Sequence, residues 1–263
     1  MPKAVAIANQ KGGVGKTTTA IHLGAGLAMQ GWRTLLVDMD PQHNATAGLG
    51  LAASENRPGI YDLIINEFAI HDVIRRTPVE RLDVIASDVR LHGAEIEMVS
   101  HIAREHILQQ ALKGIEGEDY AFVLMDCPPS LGLLTLNALT AANSVLVPMQ
   151  CEYFALEGLA HLMKTIKLVQ KHLNPNLEIE GIVLTMFDGR LNLSRQVADE
   201  IQQVFGSRVY KTAVSRNVRL SEAPSYGQPV YVYDPSSRGA QNYRDLTAEF
   251  LAAQGLAARE VAA

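Results

Sequence analysis

The chain has 263 residues, 48% of them hydrophobic and 19% charged, which suits one large α/β domain with a sizeable core. A formal net charge of −5 excludes a globally basic nucleic-acid binder, so any DNA contact must come from a local patch. The two cysteines, Cys127 and Cys151, exclude a disulfide framework or a four-cysteine metal site within one subunit.

The first apolar run, Ala4–Ala8, begins almost at once after Met1-Pro2-Lys3, and no signal peptide is expected. Further β-rich runs follow at Thr34–Val37, Leu82–Ala86, Ala121–Met125, Ser144–Pro148 and Ile179–Thr185. Helical periodicity separates most of them: Thr19–Met29 after the first run, and Leu156–Leu173 with Leu159, Leu162, Met163, Ile166, Val169 and Leu173 at three- and four-residue spacing. Leu193–Phe205 places Val197, Ile201 and Val204 on one face. Several strand runs lack alternation, as expected for a parallel sheet covered on both faces. The pattern predicts a single doubly wound, mostly parallel sheet with ligands outside the carboxyl ends of its strands. Residues 212–239 read as loop, 240–253 as a closing helix, and 254–263 as a frayed tail, giving one domain over residues 1–253. No stretch reaches the roughly 18 apolar residues of a membrane span, so the cytoplasm is the expected compartment.

The segment Gln10-Lys11-Gly12-Gly13-Val14-Gly15-Lys16-Thr17-Thr18 lies between the first strand and the first helix. Strand, glycine-rich loop and helix is the context of a phosphate-binding loop. Its glycines let backbone N–H groups converge on phosphate oxygens, and the helix N-terminus adds the positive end of its dipole. In that arrangement Lys16 reaches the β- and γ-phosphates and the Thr17 hydroxyl ligates Mg²⁺. Gln10 stands where the ordinary pattern has its first glycine, and a second lysine, Lys11, opens the loop. Lys11 is poorly placed for its own nucleotide but able to reach a neighbour's.

Two further strands end in acids. Leu35-Leu36-Val37-Asp38-Met39-Asp40 puts Asp38 and Asp40 on one side of a strand end, expected to point at the phosphate loop. Asp40 is the candidate for placing a water in line with the γ-phosphate, with Asp38 as its support. The run from Tyr120 to Asp126 reads as a buried strand whose terminal Asp126 fits the Mg²⁺-side acid, acting through a bound water. The following Pro128-Pro129 turn suits a γ-phosphate sensor, and Cys127 reads as a small buried residue rather than a ligand. Residues 186–220 hold six basic and three acidic side chains, a local +3 that suits either a phosphate-backbone track or a solvated face. No base-reading module is evident.

Together these motifs resemble the ParA/Soj partition ATPases, a branch of the deviant Walker A family that includes MinD. The resemblance spans KGGVGKTTT at 11–19, LLVDMDPQ at 35–42, DCPPSLGLLTLNAL at 126–139, PMQCEYFALEGL at 148–159 and RNVRLSEAPSYGQPV at 216–230. It is similar to the short form that starts directly at the first strand. The resemblance implies slow Mg²⁺-dependent ATP hydrolysis and a homodimer with ATP sandwiched between subunits. In that dimer Lys11 of one subunit reaches the phosphates of the other, and Gly12 lies where the loops approach. It also implies non-specific double-stranded DNA binding through Arg190 and Arg219, a ParB-type activating partner, and a nucleoid-associated location. The implied nucleotide-contacting set is Lys11 to Thr18 with Asp126, and an adenine pocket at Met186, Ser215 and Asn217. Relatives commonly have proline where this chain has Ser215, and glycine where it has His43, a residue type that tolerates left-handed backbone better than most.

Two other readings compete. A MinD-like membrane switch needs a basic amphipathic helix at the C-terminus, and residues 251–263 carry only Arg259 against Glu260. A reductase resembling nitrogenase iron protein needs two cysteines per subunit converging on a dimer axis, and the spacing around Cys127 is wrong for that.

Overall fold

The computed structural model describes residues 1–51 and 57–259. Seven strands form one sheet: β1 Lys3–Ile7, β2 Thr34–Asp38, β3 Ile74–Arg76, β4 Leu82–Ile85, β5 Phe122–Asp126, β6 Ser144–Gln150 and β7 Glu178–Thr185. Their order is β3-β4-β2-β5-β1-β6-β7, parallel throughout except for the β3–β4 pair. The doubly wound, mostly parallel sheet expected from the sequence is therefore present. β3 was not foreseen, because three residues ending in two arginines are too short and too polar to show strand patterning.

The helices are α1 Lys16–Met29, α2 Asn44–Gly48, α3 Ile60–Ile64, α4 Ile70–Val73, α5 Leu91–Glu97, α6 Ile107–Leu112, α7 Leu133–Ala141, α8 Ala155–His172, α9 Asn192–Phe205, α10 Val218–Glu222, α11 Val230–Tyr233 and α12 Arg238–Ala253. Strand side chains alternate between two separate cores. Val5, Ile7 and Leu36 pack with α1 and α12, while Ala4, Ala6, Leu35 and Val37 pack with α7, α8 and α9. Both faces are thus covered, which is why the strands read as continuous apolar runs.

Two expectations are corrected. Residues 212–239, read as loop, contain α10, a 3₁₀ turn at Ala223–Tyr226, and α11. Prolines made this stretch look irregular. Pro224 sits in the first turn of the 3₁₀ segment and Pro229 caps α11, positions where a missing N–H costs nothing. Residues 254–259, read as frayed, are held in place. Trp32 Nε1 donates to the Ala257 carbonyl at 3.0 Å, Arg259 N donates to the Gln30 carbonyl at 3.0 Å, and the Arg259 guanidinium lies 3.6 Å over the Trp32 ring. An indole at the turn after α1 offers both a donor and a cation-binding face, and the tail supplies the partners. The remainder of the expected tail, 260–263, lies outside the described residues.

The topology decides what meets at the carboxyl end of the sheet. β5 lies between β1 and β2, with Asp126 in register with both Ile7 and Asp38. The loop after β1, the acids after β2 and the acid ending β5 are thereby neighbours.

Candidate nucleotide site

Gly13 and Gly15 take φ of 72° and 85° in the turn between β1 and α1, a left-handed backbone that a side chain would strain. The Thr185 hydroxyl donates to the Val14 carbonyl at 2.8 Å, tying the loop to the end of β7. Lys16 opens α1, is only 6% exposed, and donates to the Lys11 carbonyl at 3.1 Å. Burial pulls its pKa below the usual lysine range, and the charges of Asp126 and Asp40 counter only part of that.

Asp126 is fully buried and neither of its carboxylate oxygens has a hydrogen-bond partner. Burial pushes its pKa well up, and the neighbouring Asp38 adds to the effect, while Thr17 and Lys16 oppose it. An orphaned buried carboxylate beside a hydroxyl and an ammonium calls for a cation or ordered water. That donor set fits Mg²⁺, which takes one or two protein oxygens and completes its shell with phosphate and water. Among the described residues no three His, Cys, Asp or Glu side chains converge as a cage, so the protein alone does not surround an ion.

Asp38, which ends β2, and Asp40, two residues beyond it, hold different partners. Strand geometry ends at Asp38, so period-two alternation does not extend to Asp40. The Asp38 carboxylate accepts from Thr46 N at 2.8 Å and from the Thr46 hydroxyl at 2.7 Å. Burial raises its pKa to about 6. Thr46 in turn accepts from Ser87 N at 2.9 Å, and the Ser87 hydroxyl donates to the Asp40 carbonyl at 2.8 Å. Asp38 thus acts through α2 and the residues after β4 to hold the backbone that carries Asp40. The Asp40 carboxylate accepts from Gln42 N at 2.9 Å and lines the cavity. His43, at φ 47°, takes the left-handed conformation its position demands.

A cavity of about 990 Å³ runs from Gly12, Gly13 and Thr17 past Asp40 to Met186, Ser215 and Asn217. Gly15, Lys16 and Thr18 also line it, so most of the expected nucleotide set is gathered at one cavity, whereas Asp126 lies buried and is not part of its lining. Val14 is buried, with its side chain in the protein interior. Lys11 is directed elsewhere: its ammonium is paired with Glu152, both side chains being well exposed. Sequence reasoning missed Glu152, Thr46, Ser87 and Tyr243. Tyr243 lines the cavity and its hydroxyl lies 3.1 Å from that of Thr19. None of the four has a local sequence signal, because each reaches the site from a distant element.

The two arginines lie on the outer edge. Arg190 is highly exposed and bonded to Asp188 at 2.6 Å. Arg219 pairs with Glu222 at 2.8 Å and Asp234 at 3.2 Å. The acids that neutralise Arg219 fall outside the 186–220 window, so the +3 of that window overstates the local charge there. Both cysteines are buried, and burial pushes the Cys151 thiol up to about 11 and Cys127 higher still. Neither offers the accessible thiolate that a cluster on a dimer axis requires.

A parallel sheet with a left-handed glycine loop, a buried lysine and an orphaned acid beyond adjacent strands defines a P-loop nucleotide-binding protein. A family model described as an AAA domain matches residues 2–179. The chain is 55% identical over 252 residues to the sporulation initiation inhibitor protein Soj of Bacillus subtilis, covering 96% of this chain and 99% of that one. It is 51% identical over 250 residues to the chromosome partitioning protein ParA of Caulobacter vibrioides, covering 95% and 94%. Among solved structures, a cobyrinic acid a,c-diamide synthase from Mycobacterium smegmatis with bound ADP and magnesium matches with a TM-score of 0.81 at 35% identity, covering 94% and 93%. The septum site-determining protein MinD from Pyrococcus horikoshii, complexed with Mg-ADP, matches with a TM-score of 0.76 at 26% identity, covering 95% and 96%. The chain belongs to the ParA/Soj family of chromosome-partitioning ATPases.

Proposed function

We propose that this ATPase is a DNA-partition switch: ATP closes a sandwich dimer, the dimer binds DNA without sequence preference, and hydrolysis releases it. The observation that carries the nucleotide part is the orphaned, fully buried Asp126 carboxylate beside Lys16 and Thr17, the two residues that line the cavity in front of it. Lys16 neutralises charge on the β- and γ-phosphates, in a buried setting where its attraction for them is little screened. Thr17 would hold Mg²⁺ directly and Asp126, with Asp40, through water. When bound, the ion neutralises phosphate charge. Asp40 orients the attacking water, and the Asp38–Thr46–Ser87 chain keeps its backbone in place. Met186, Ser215 and Asn217 wall the adenine end.

The dimer reading rests on Gly12 and Lys11. A Cβ at Gly12 would meet nothing within 4 Å in this chain, so glycine is not required there by the monomer's own packing. Lys11 must exchange Glu152 for a partner's phosphate, and an exposed ion pair of that kind is worth at most about 1 kcal/mol. A ParB-type protein is the expected activator, since much of the catalytic geometry waits for the second subunit. Arg190 and Arg219 are the proposed phosphate-backbone contacts, and they place the dimer on the nucleoid.

A MinD-like membrane anchor is less well supported. Residues 254–259 are docked on Trp32 and Gln30 rather than forming a helix, and among the described residues no helix is long and apolar enough to cross a membrane. The deciding experiment is DNA binding with ATP, ADP and no nucleotide, in the wild type and in Asp40→Ala. Binding that needs ATP and persists in Asp40→Ala supports the switch. Binding indifferent to nucleotide overturns it.

A further inference from the structure

α12 meets the adenine-end wall through Asn242, whose Oδ1 accepts from Ser215 N at 3.1 Å and from the Ser215 hydroxyl at 2.8 Å. The chemistry fixes every polarity in this arrangement. A backbone N–H can only donate, so the amide atom facing it must be the oxygen. That oxygen carries no hydrogen, so the Ser215 hydroxyl must donate to it as well. The one hydrogen of the hydroxyl is then committed, and anything Oγ offers elsewhere is a lone pair. Ser215 itself is held in place: Val214 N donates to the Leu184 carbonyl at 2.8 Å and Phe187 N to the Val214 carbonyl at 3.0 Å. It lines the cavity beside Met186 and Asn217.

We infer that Ser215, oriented by Asn242, selects the base: it presents an acceptor and no donor to the cavity, favouring a purine with an amino group at the 6-position over one with an oxo group. The inference rests on the adenine-end reading above. Asn217, which lines the cavity together with Arg216, Ser221 and Ser225, has its oxygen taken by Arg219 N at 2.9 Å. Its amide hydrogens suit N3 and N7, which are acceptors in both kinds of purine, and against those nitrogens it does not discriminate. Asn242 does not line the cavity and is a positioning residue: without it the Ser215 hydroxyl is free to turn and donate, and the discrimination falls.

The test is calorimetric affinity of the full chain for ATP and for ITP with Mg²⁺, since the two bases differ only along the edge that carries the 6-substituent, the 6-oxo base also bearing a proton at N1. The wild type should prefer ATP. Ser215→Ala should lower the ATP/ITP preference roughly five- to tenfold, the scale of one neutral hydrogen bond. Asn242→Leu should lower it similarly, whereas Asn242→Asp, which keeps an acceptor facing Ser215, should hold the wild-type ratio. A structural role alone would weaken both nucleotides together and leave the ratio untouched. If Asn242→Leu does not fold, Ser215→Ala and Asn242→Asp still decide. A wild type without preference, or Ser215→Ala at the wild-type ratio, overturns the inference. Lys16→Ala separates the two levels. If it binds both nucleotides normally, the nucleotide site itself is wrong. If it loses both while Ser215→Ala keeps the ratio, only the base selection is wrong.

Discussion

The phosphate end of the sheet and the arginine edge carry charge in opposite ways. At the phosphate end, Lys16 and Asp126 are buried; the carboxylate has no hydrogen-bond partner and the ammonium has only the Lys11 carbonyl. At the edge, Arg190 and Arg219 are exposed and already bonded to Asp188, Glu222 and Asp234. A buried unpaired charge is costly until a ligand arrives, so a ligand there binds strongly and is hardly screened by salt. An exposed pair exchanges one carboxylate for a phosphate at little cost, so binding there is weak at each residue, additive and sensitive to salt. The fold thus separates a site that must be filled from a surface that can be released.

Removing the buried ammonium strikes hardest at the first of these regions. Lys16→Ala should lose roughly a hundredfold in ATP affinity, about 3 kcal/mol for bonds to a charged group. Dimerisation and DNA binding should go with it. Calorimetry showing unchanged ATP affinity would remove Lys16 from the site. Asp40→Ala separates binding from chemistry within the same region. It should still bind ATP, dimerise and stay on DNA, with turnover lowered by roughly two orders of magnitude, the scale of a missing acid–base group. Turnover near wild type would shift the role to Asp38 or to a partner residue.

Gly12→Val alters no charge and so isolates the approach of the two loops. The chain has space for the side chain, so ATP should bind each monomer while the ATP-dependent dimer disappears. A dimer still visible by light scattering would show that the loops do not approach at position 12. At the edge, Arg190→Glu or Arg219→Glu should weaken DNA binding equally on two unrelated duplexes. Each should also flatten the salt dependence, by about one unit of log–log slope for every DNA phosphate no longer neutralised, with dimerisation intact. Full affinity and slope would show a solvated face, and discrimination between duplexes would point to base readout.

A smaller effect concerns stability. The pKa of Asp126 is raised in the folded chain, so the folded state holds its proton to higher pH than the unfolded one. Its favourable contribution is present below the unfolded value and is lost as pH rises through the folded value. Asp126→Asn should therefore raise the nucleotide-free Tm at neutral pH by roughly 2–4 °C for each ~1 kcal/mol relieved, with the gain vanishing at acid pH. It should also remove the extra stabilisation by Mg-ATP over ATP alone. A nucleotide-free Tm that falls at neutral pH would mean that the carboxylate is already satisfied, and that the phosphate end is not the unfilled site its burial suggests.

Much of this molecule was legible because its signals are local. A glycine loop between a strand and a helix needs only consecutive residues, and Lys16 and Thr17 of that loop line the cavity together with Asp40. The helix faces of α8 and α9 follow from periodicity, with Leu159, Leu162, Ile166, Val197 and Ile201 buried as expected, although Val204, placed on the same face by its spacing, is exposed near the end of α9. Residues 212–239 misled because proline signals irregularity without saying whether it begins a helical turn or breaks one.

The order of residues was enough to set the chemistry available: two lysines in the loop, acids at two strand ends, and a strand–helix alternation that permits a covered parallel sheet. Which of these groups meet was settled only by the packed fold. Inserting β5 between β1 and β2 brings Asp126 beside Asp38 and the loop, and it is burial there that strips Asp126 of partners. The fold also turned Asp38 to Thr46, placed Lys11 on Glu152, paired Arg219 with acids outside its own segment, and set Asn242 against Ser215. The physical reason is the same in each case. Charge and hydrogen-bond demand depend on solvent exclusion and on partners far away in sequence, and neither quantity exists until the two cores have closed over the sheet.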